Sequence, residues 1–396
     1  MQNYDWIVIG GGITGSALSY ELMKKGWKTL LIEKDPILKN ATQYSYGGLA
    51  YWSANNPLTR QLYQQGMALH RHLSVELDGD TEFRDIDLLL TIDKTDNPED
   101  VINECQQFVI APQLLAPVEA HELEPELNPD TISGAIRFPH AHINPNQTNL
   151  AYQKAFSRLG GRIVIEQFQR FHHKNQQIVA VETQKQVYGT YRVVVCAGGL
   201  SRSLLKAIGV EIPLYFTHSS VLITETTNLI LRTMIMPARQ KRLALEAIAD
   251  TSKLKPLWDF QKEHCAGQIL DPGAIQFQDK HMRIGQTSTL LTNPQSQIDI
   301  KQEENQIRQH IARLLPNFAN IPGICRHCLV AFSPTSRPLV GETRLIKGLY
   351  HFSGFTSTLI SAPPMARHFA DSISGSGIAQ INRLEMDMNN IDNQDE

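Results

Sequence analysis

Tyr4-Asp5-Trp6-Ile7-Val8-Ile9-Gly10-Gly11-Gly12-Ile13-Thr14-Gly15 is the stretch whose reading decides the fold. An apolar strand runs straight into glycines at 10, 12 and 15, and the pattern behind them, with Ala17, Leu18 and Leu22 inward, opens a helix. Thr29-Leu30-Leu31-Ile32 then reads as a second strand ending on Glu33, with Lys34 next to it. In a βαβ unit of this kind the glycines give a tight turn, let a pyrophosphate approach the backbone, and let helix and strand pack closely. The helix N-terminus offers partial positive charge to the phosphates, and the acidic residue accepts hydrogen bonds from ribose hydroxyls. The spacing predicts an adenine dinucleotide held by Gly10, Gly12, Ile13, Thr14, Gly15, Glu33 and Lys34.

Outward from this unit the same logic repeats. Ala41-Thr42-Gln43-Tyr44-Ser45-Tyr46-Gly47-Gly48-Leu49 is small, polar and glycine-bearing, as a loop touching a ligand should be. Helical patterning covers 58–77, a strand 86–92, and a helix 97–108 with Asn97 as N-cap. Asn144-Pro145 starts another helix that leads to Gly160-Gly161 and the strand Arg162 to Ile165. Arg192-Val193-Val194-Val195-Cys196 reads as a strand buried on both faces and ends in Ala197-Gly198-Gly199. Between 212 and 285 the pattern becomes β-like, with strands at 219–225 and 274–278 around a helix at 239–250. Leu349 to Ser353 enters one more glycine turn at Gly354, before a helix from about 359 to 373. Strand ends at Ile9, Glu33 and Cys196 can converge on one ligand, because doubly wound sheets bind at the carboxyl ends of their strands.

The 396 residues suit two domains, and 42% hydrophobic with 19% charged residues and a formal charge of −3 describe a globular chain without the basic excess of a nucleic-acid binder. Five cysteines are few and odd in number, so a disulfide framework is not expected and a reducing cytoplasm is. The first strand begins too close to Met1 for a leader peptide, and no apolar run is long enough to span a bilayer. The segment 229–270 mixes Leu229, Ile230, Met234 and Trp258 with Arg232, Arg239, Lys241 and Arg242. It is either a packed helix and loop or a peripheral membrane contact.

Taken in order, these motifs resemble the FAD-dependent amino-acid and amine oxidoreductases related to glycine oxidase, D-amino-acid dehydrogenase and monomeric sarcosine oxidase. The resemblance rests on the Gly10 to Glu33 fingerprint, the 41–49 loop, Gly134-Ala135-Ile136 through Asn144-Pro145, Val193 to Gly198, Arg283-Ile284-Gly285, and Ser353-Gly354 followed by Pro364. It implies an α/β fold in which a Rossmann-like FAD-binding domain (1–82, 141–212 and 325–385) is interleaved with a smaller α+β substrate domain on an antiparallel sheet (83–140 and 213–324). A disordered tail is expected at 386–396. It further implies FAD contacts from Thr42, Gly47, Gly48, Leu49, Phe168, Gln169, Ala197, Gly198, Gly354, Ser357, Thr358, Leu359 and Ile360, and a small-molecule amine or amino acid as substrate. The implied reaction is oxidation of a C–N bond to an imine by hydride transfer to the flavin, with oxygen or a membrane carrier taking the electrons.

Two departures qualify the resemblance. Where the family carries an arginine for the substrate carboxylate this chain has Val330, and the family's second cation falls at Ser357 or Ser361. The substrate then lacks a carboxylate, or its anchor has moved, with Arg239 and Arg242 as candidates, or catalysis has been lost. Cys328 stands at the spacing where sarcosine-oxidase relatives bond covalently to flavin; FAD is expected to be non-covalent, with a small buried thiol as the plainer reading of Cys328. Cys325 and Cys328 form CxxC, but with no second pair a zinc site is not expected. For the chemistry, Tyr46 and His218 are the catalytic candidates, and Tyr44, Tyr51 and Trp52 form an aromatic wall able to bind an amine through cation–π contact. Each has a plain alternative as a core aromatic or a structural histidine. A nicotinamide-dependent reductase and a flavin-binding protein without catalysis remain the competing readings.

Overall fold

In the computed structural model, residues 2–259, 263–335 and 337–375 are described. The expected tail at 386–396 lies outside them. The glycine-ended strands build one six-stranded sheet, in the order Leu339–Glu342, Leu349–Ser353, Val193–Val195, Trp6–Ile9, Thr29–Glu33, Arg162–Ile165. All neighbours are parallel except the edge pair 339–342 with 349–353. Strands buried on both faces explain the unbroken apolar runs. Trp6, Val8, Leu31, Val194 and Phe352 face helices Ile13–Lys24, Pro57–Glu76, Pro145–Arg158 and Thr358–Ile373. Ile7, Ile9, Leu30, Ile32, Val193 and Val195 face a four-stranded sheet that contains the hairpin Phe168–Lys174 and Gln177–Thr183. The hairpin turn falls on Asn175 and Gln176, both at positive φ.

A nine-stranded sheet carries the other half. Its order runs Gly323–Phe332, Tyr215–Thr224, Met282–Leu291, Cys265–Gln276, Met234–Pro237, Arg84–Asp93, Ile132–His142, Gly48–Leu49, with Gln113–Leu115 pairing alongside Ile132–His142. Strand 323–332 lies wholly in this sheet, although the sequence reading divides the chain at 325. The helix Ile300–Leu314, which the sequence reading passed over, covers one face through Ile307 and Ile311 against Leu222, Ile284 and Cys325. The opposite face carries Tyr46, Val221, Ile275 and Phe277. Gly48 and Leu49 join this sheet by pairing with His142 and Ala141. The loop after the first βαβ unit thereby ties the two sheets together.

The closing helix Thr358–Ile373 contains Pro363 and Pro364. Pro363 cannot donate to the Leu359 carbonyl four residues back. His70, on helix Pro57–Glu76, donates to that carbonyl instead through Nε2 at 2.8 Å. A Cβ on Gly66 would overlap the Ile360 carbonyl oxygen, so the two helices touch where the second proline leaves its own gap.

Among the described residues of segment 229–270 much of the apolar surface turns inward, while Ile230 and Leu243 stay exposed. Leu245, Ala249, Leu254 and Trp258 pack on Tyr215 and Phe216, and Leu231, Met234 and Ile235 are buried. No helix among the described residues is long and apolar enough to cross a membrane.

Candidate active site

The first βαβ turn is fixed by backbone contact. Gly10 has φ +110°, and a Cβ there would lie 2.5 Å from the Cys196 carbonyl oxygen. A Cβ on Gly15 would overlap the Gly10 carbonyl oxygen. Three side chains hold the Gly11 carbonyl in place: Ser16 at 3.1 Å, Asn149 at 3.0 Å and Gln153 at 2.9 Å. The last two come from helix Pro145–Arg158, and no local motif announces them. Glu33 is 8% exposed; its carboxylate accepts from Gly11 N–H at 2.7 Å and Asp35 N–H at 2.9 Å. Its remaining lone pairs stand free for ribose hydroxyls. Lys34 points to solvent beside Asp35.

Thr42 is delivered to this turn by the short helix Ala41–Tyr44, capped by Asn40. Its hydroxyl accepts from the Ile13 N–H at 3.0 Å, which leaves its own proton to give to an oxyanion at the helix N-terminus. Gly198, at φ +54°, has nothing within 4 Å of where its side chain would begin. Ile165 pairs with Glu33, so Phe168 and Gln169 follow directly at the adenosine end. Gly354 has φ +72° and Ser357 φ +49°, and together they turn the chain into the N-terminus of helix Thr358–Ile373. A donor-lined turn, an acidic strand end and an open glycine together fit an FAD. An FAD placed there would find Thr42 and the 13–15 backbone for its pyrophosphate and Glu33 for its ribose, and Gly47, Gly48, Leu49 and the 357–360 helix start would be left for the isoalloxazine.

The wall beyond Gly48 belongs to the nine-stranded sheet. Tyr46 is 9% exposed, and a Cβ on Gly285 would come 3.3 Å from its hydroxyl, which has no hydrogen-bond partner. Burial keeps that phenol neutral, its pKa pushed far above the ordinary value. Arg283, two residues before Gly285 on the same strand face, is 2% exposed, with Nε and Nη1 unpartnered. Its guanidinium carbon lies 4.4 Å from the centre of the Phe277 ring. Burial lowers its pKa to about 10, so it stays charged at neutral pH. Tyr44 is half-buried beside Arg326, Cys328 and Arg283; burial raises its pKa against the pull of the two arginines. Cys328 shares this environment, and burial pushes its thiol up to about 12, so it is neutral at physiological pH. Cys325, three residues earlier, faces Ile307 and Ile311 on the other side of the sheet, which separates the two thiols of the CxxC.

Two histidines also line this region without a sequence signal. His140 accepts the Trp52 indole N–H on Nδ1 at 3.1 Å, so its proton sits on Nε2, which has no partner. A Cβ on Gly48 would come 2.6 Å from that Nε2. Burial depresses the His140 pKa to about 3. His142 donates from Nε2 to the Tyr46 carbonyl at 3.0 Å and so orients the Tyr46-Gly47 peptide.

Several expected site residues are not brought here. His218 pairs with Leu329 across the strands and touches Phe216 and His327, on the face away from Tyr46 and Arg283. Its Nδ1 lies 2.9 Å from His327 Nε2, its Nε2 donates to the Asn293 carbonyl, and burial lowers its pKa to about 4. It is a structural histidine. Trp52 stacks on Phe138 at 4.1 Å as part of the core, and Tyr51 is half-buried near Asp85 and Arg71. Arg239 is held on the surface by Asp96 and Glu104, and Arg242 by Glu246. Of the expected aromatic wall, Tyr44 lies within the electrostatic reach of Arg283, as does Tyr46.

The sequence family described as DAO, FAD dependent oxidoreductase, matches residues 5–372. The chain belongs to that family. The family is one of FAD dependent oxidoreductases, which favours FAD over a nicotinamide cofactor at the glycine turn. The 4-methylaminobutanoate oxidase (formaldehyde-forming) of Paenarthrobacter nicotinovorans is 24% identical over 214 residues, 53% of this chain and 26% of that protein. The mitochondrial dimethylglycine dehydrogenase of Rattus norvegicus is 24% identical over 226 residues, 56% of this chain and 26% of that protein. The matched stretch thus spans about a quarter of each of these relatives. Among solved structures, glycine oxidase from Bacillus cereus ATCC 14579 superposes with a TM-score of 0.76 at 19% identity, covering 94% of this chain and 95% of the other. That likeness establishes a glycine-oxidase-type fold.

Proposed function

We propose that this family member oxidises the C–N bond of an amine or amino acid to an imine. The observation that carries the reading is the meeting of two surfaces. The dinucleotide turn, reached by Thr42, runs on through Gly47 and Gly48 into a wall made of Tyr44, Tyr46 and a buried arginine. FAD, when bound, supplies the acceptor for a hydride. The chain's own part is positioning, which can provide most of the rate effect when the reacting C–H is held against the acceptor. The peptide after Tyr46, pinned by His142, sets the distance from turn to wall. Tyr46, neutral and buried, excludes water and offers one hydroxyl proton. The proton-accepting step needs no side chain if the substrate nitrogen binds neutral. The relatives' names, which speak of methylamino and dimethylamino compounds, support a secondary or tertiary amine. The electron acceptor is oxygen or a membrane carrier.

The test is anaerobic addition of primary, secondary and tertiary amines, with and without a carboxylate, to the FAD-loaded protein while the oxidised flavin absorbance is followed. At least one class bleaches the flavin, and the mixture then yields the aldehyde or keto product of imine hydrolysis. A flavin that no amine reduces, yet dithionite does, overturns the reading in favour of a flavin-binding protein without this catalysis.

A further inference from the structure

We propose that Arg283, with the Tyr46 hydroxyl beside it, is the anion subsite of this active site and takes the carboxylate of the substrate. This rests on the amine-oxidising reading and narrows it to amines that carry an acid group. Arg283 is the second residue of the strand Met282–Leu291, which is flanked on both sides: it pairs with Ile223 on one and Ile275 on the other. Its side chain therefore projects from the centre of the sheet, on the face shared with Gly285 and Val221. The Phe277 ring covers it at 4.4 Å, and no ion pair to Arg283 exists among the described residues. The nearest acid to act on it, Asp279, is itself paired with His281. Removing a guanidinium from water without a partner is strongly unfavourable. Burial accordingly depresses its pKa, and the pull of Asp279 with the Phe277 ring beside it offsets that cost only in part.

The fork of N–H groups on a guanidinium matches a planar carboxylate, which can take two of them at once. Nε and Nη1 are both unpartnered, and each shares one of the two bidentate edges of the guanidinium with Nη2. The Tyr46 hydroxyl is the third unpartnered polar group at the same spot, set against the Gly285 backbone. Tyr46 leads directly into Gly47 and Gly48, so the hydroxyl beside this strand belongs to the segment proposed to approach the isoalloxazine. Val330, where the sequence leaves an apolar residue in place of an arginine, lies on a different strand, Gly323–Phe332. The cation has changed strand within the same sheet.

The probe is benzoate, which binds without turnover, titrated against the holoenzyme while the flavin spectrum is followed, with benzyl alcohol as its neutral counterpart. The native protein binds benzoate and not benzyl alcohol. Arg283→Met weakens benzoate about 30-fold. Arg283→Lys, which keeps the charge and loses the fork, weakens it about tenfold. Tyr46→Phe has a smaller effect in the same direction, and FAD content stays at one per chain throughout. Equal binding of benzoate and benzyl alcohol to the native protein overturns the proposal, and so does an unchanged benzoate affinity in Arg283→Lys. The lysine variant and the neutral ligand keep the test decisive if Arg283→Met does not fold. Because benzoate is not oxidised, Arg283-dependent binding with no amine able to reduce the flavin would sink the amine-oxidising reading and leave the anion subsite standing.

Discussion

The turn around Gly10 and the wall around Arg283 serve one site, yet they are specified at different ranges of sequence. At the turn, most contacts are backbone: Gly10 against Cys196, Gly15 against Gly10, the Gly11 N–H on Glu33. Such contacts tolerate no side chain and leave a dense local signature in glycine spacing. At the wall, the contacts are made mostly by side chains, several from segments far apart in the chain, and the residues are ordinary ones that core packing uses everywhere. The turn therefore fixes the cofactor while the wall is free to vary the substrate.

Four perturbations would break or sharpen this contrast. The largest effect is expected from Gly15→Val, whose side chain would overlap the Gly10 carbonyl oxygen. It should abolish FAD binding and cost more than about 3 kcal/mol in denaturant unfolding. A yellow, stable Gly15→Val protein would mean that the turn is not set by this contact.

Acid comes next, and it acts on both regions. Burial lowers the pKa of His70 and His351 near the parallel sheet to about 4, of His218 to about 4 and of His140 to about 3, against an ordinary 6.5. Between pH 6.5 and about 4 the unfolded chain binds protons that the folded chain refuses, so stability falls as pH falls through that window. Each histidine contributes about 1.4 kcal/mol per pH unit. Unfolding midpoints measured from pH 7.5 to 4.5 should drop steeply below 6.5; a flat profile would show that these rings have partners or water in solution.

A smaller effect separates the two ends of the cofactor. Glu33→Gln keeps an acceptor for Gly11 but loses the charge, and should weaken FAD about tenfold while leaving the benzoate response of the loaded protein intact. Loss of benzoate binding in that variant would couple two regions described here as independent. The smallest effect is expected at Arg239 and Arg242. Arg239 is tied to Asp96 and Glu104 and Arg242 to the largely buried Glu246, both away from Arg283, so Arg239→Ala and Arg242→Ala should leave substrate KM unchanged. A raised KM would return the anchor to the surface segment.

The same contrast governs what could be read from the residues alone. The parallel sheet was legible because each of its strands is an apolar run ending in glycine or an acid, and its cofactor residues lie within a few positions of those ends. Helix 57–76 and its partner at 358–373 were legible as elements, but the His70 donation to Leu359 joins positions with no common motif. On the antiparallel sheet a shift of one residue exchanges the two faces. His218 and Arg283 illustrate this: both sit on strands with mixed polar and apolar residues, and only the pairing of Leu222 with Ile284 and of His218 with Leu329 shows that one faces away and the other inward. The register shift between Ser220 and Val221 removes any simple alternation there. Arg239 and Arg242 were attractive for their charge; their carboxylate partners, Asp96, Glu104 and Glu246, explain why that charge stays outside.

The most direct measurement of the central claim is the absorbance spectrum of the purified protein, followed by that of its supernatant and pellet after acid precipitation. The account predicts about one FAD per chain, released into the supernatant, because the turn holds it through Thr42, Glu33 and backbone N–H groups and the Cys328 thiol is neutral. A protein that is colourless and takes up no added FAD would contradict it, and a yellow pellet would assign Cys328 a bond to the flavin instead.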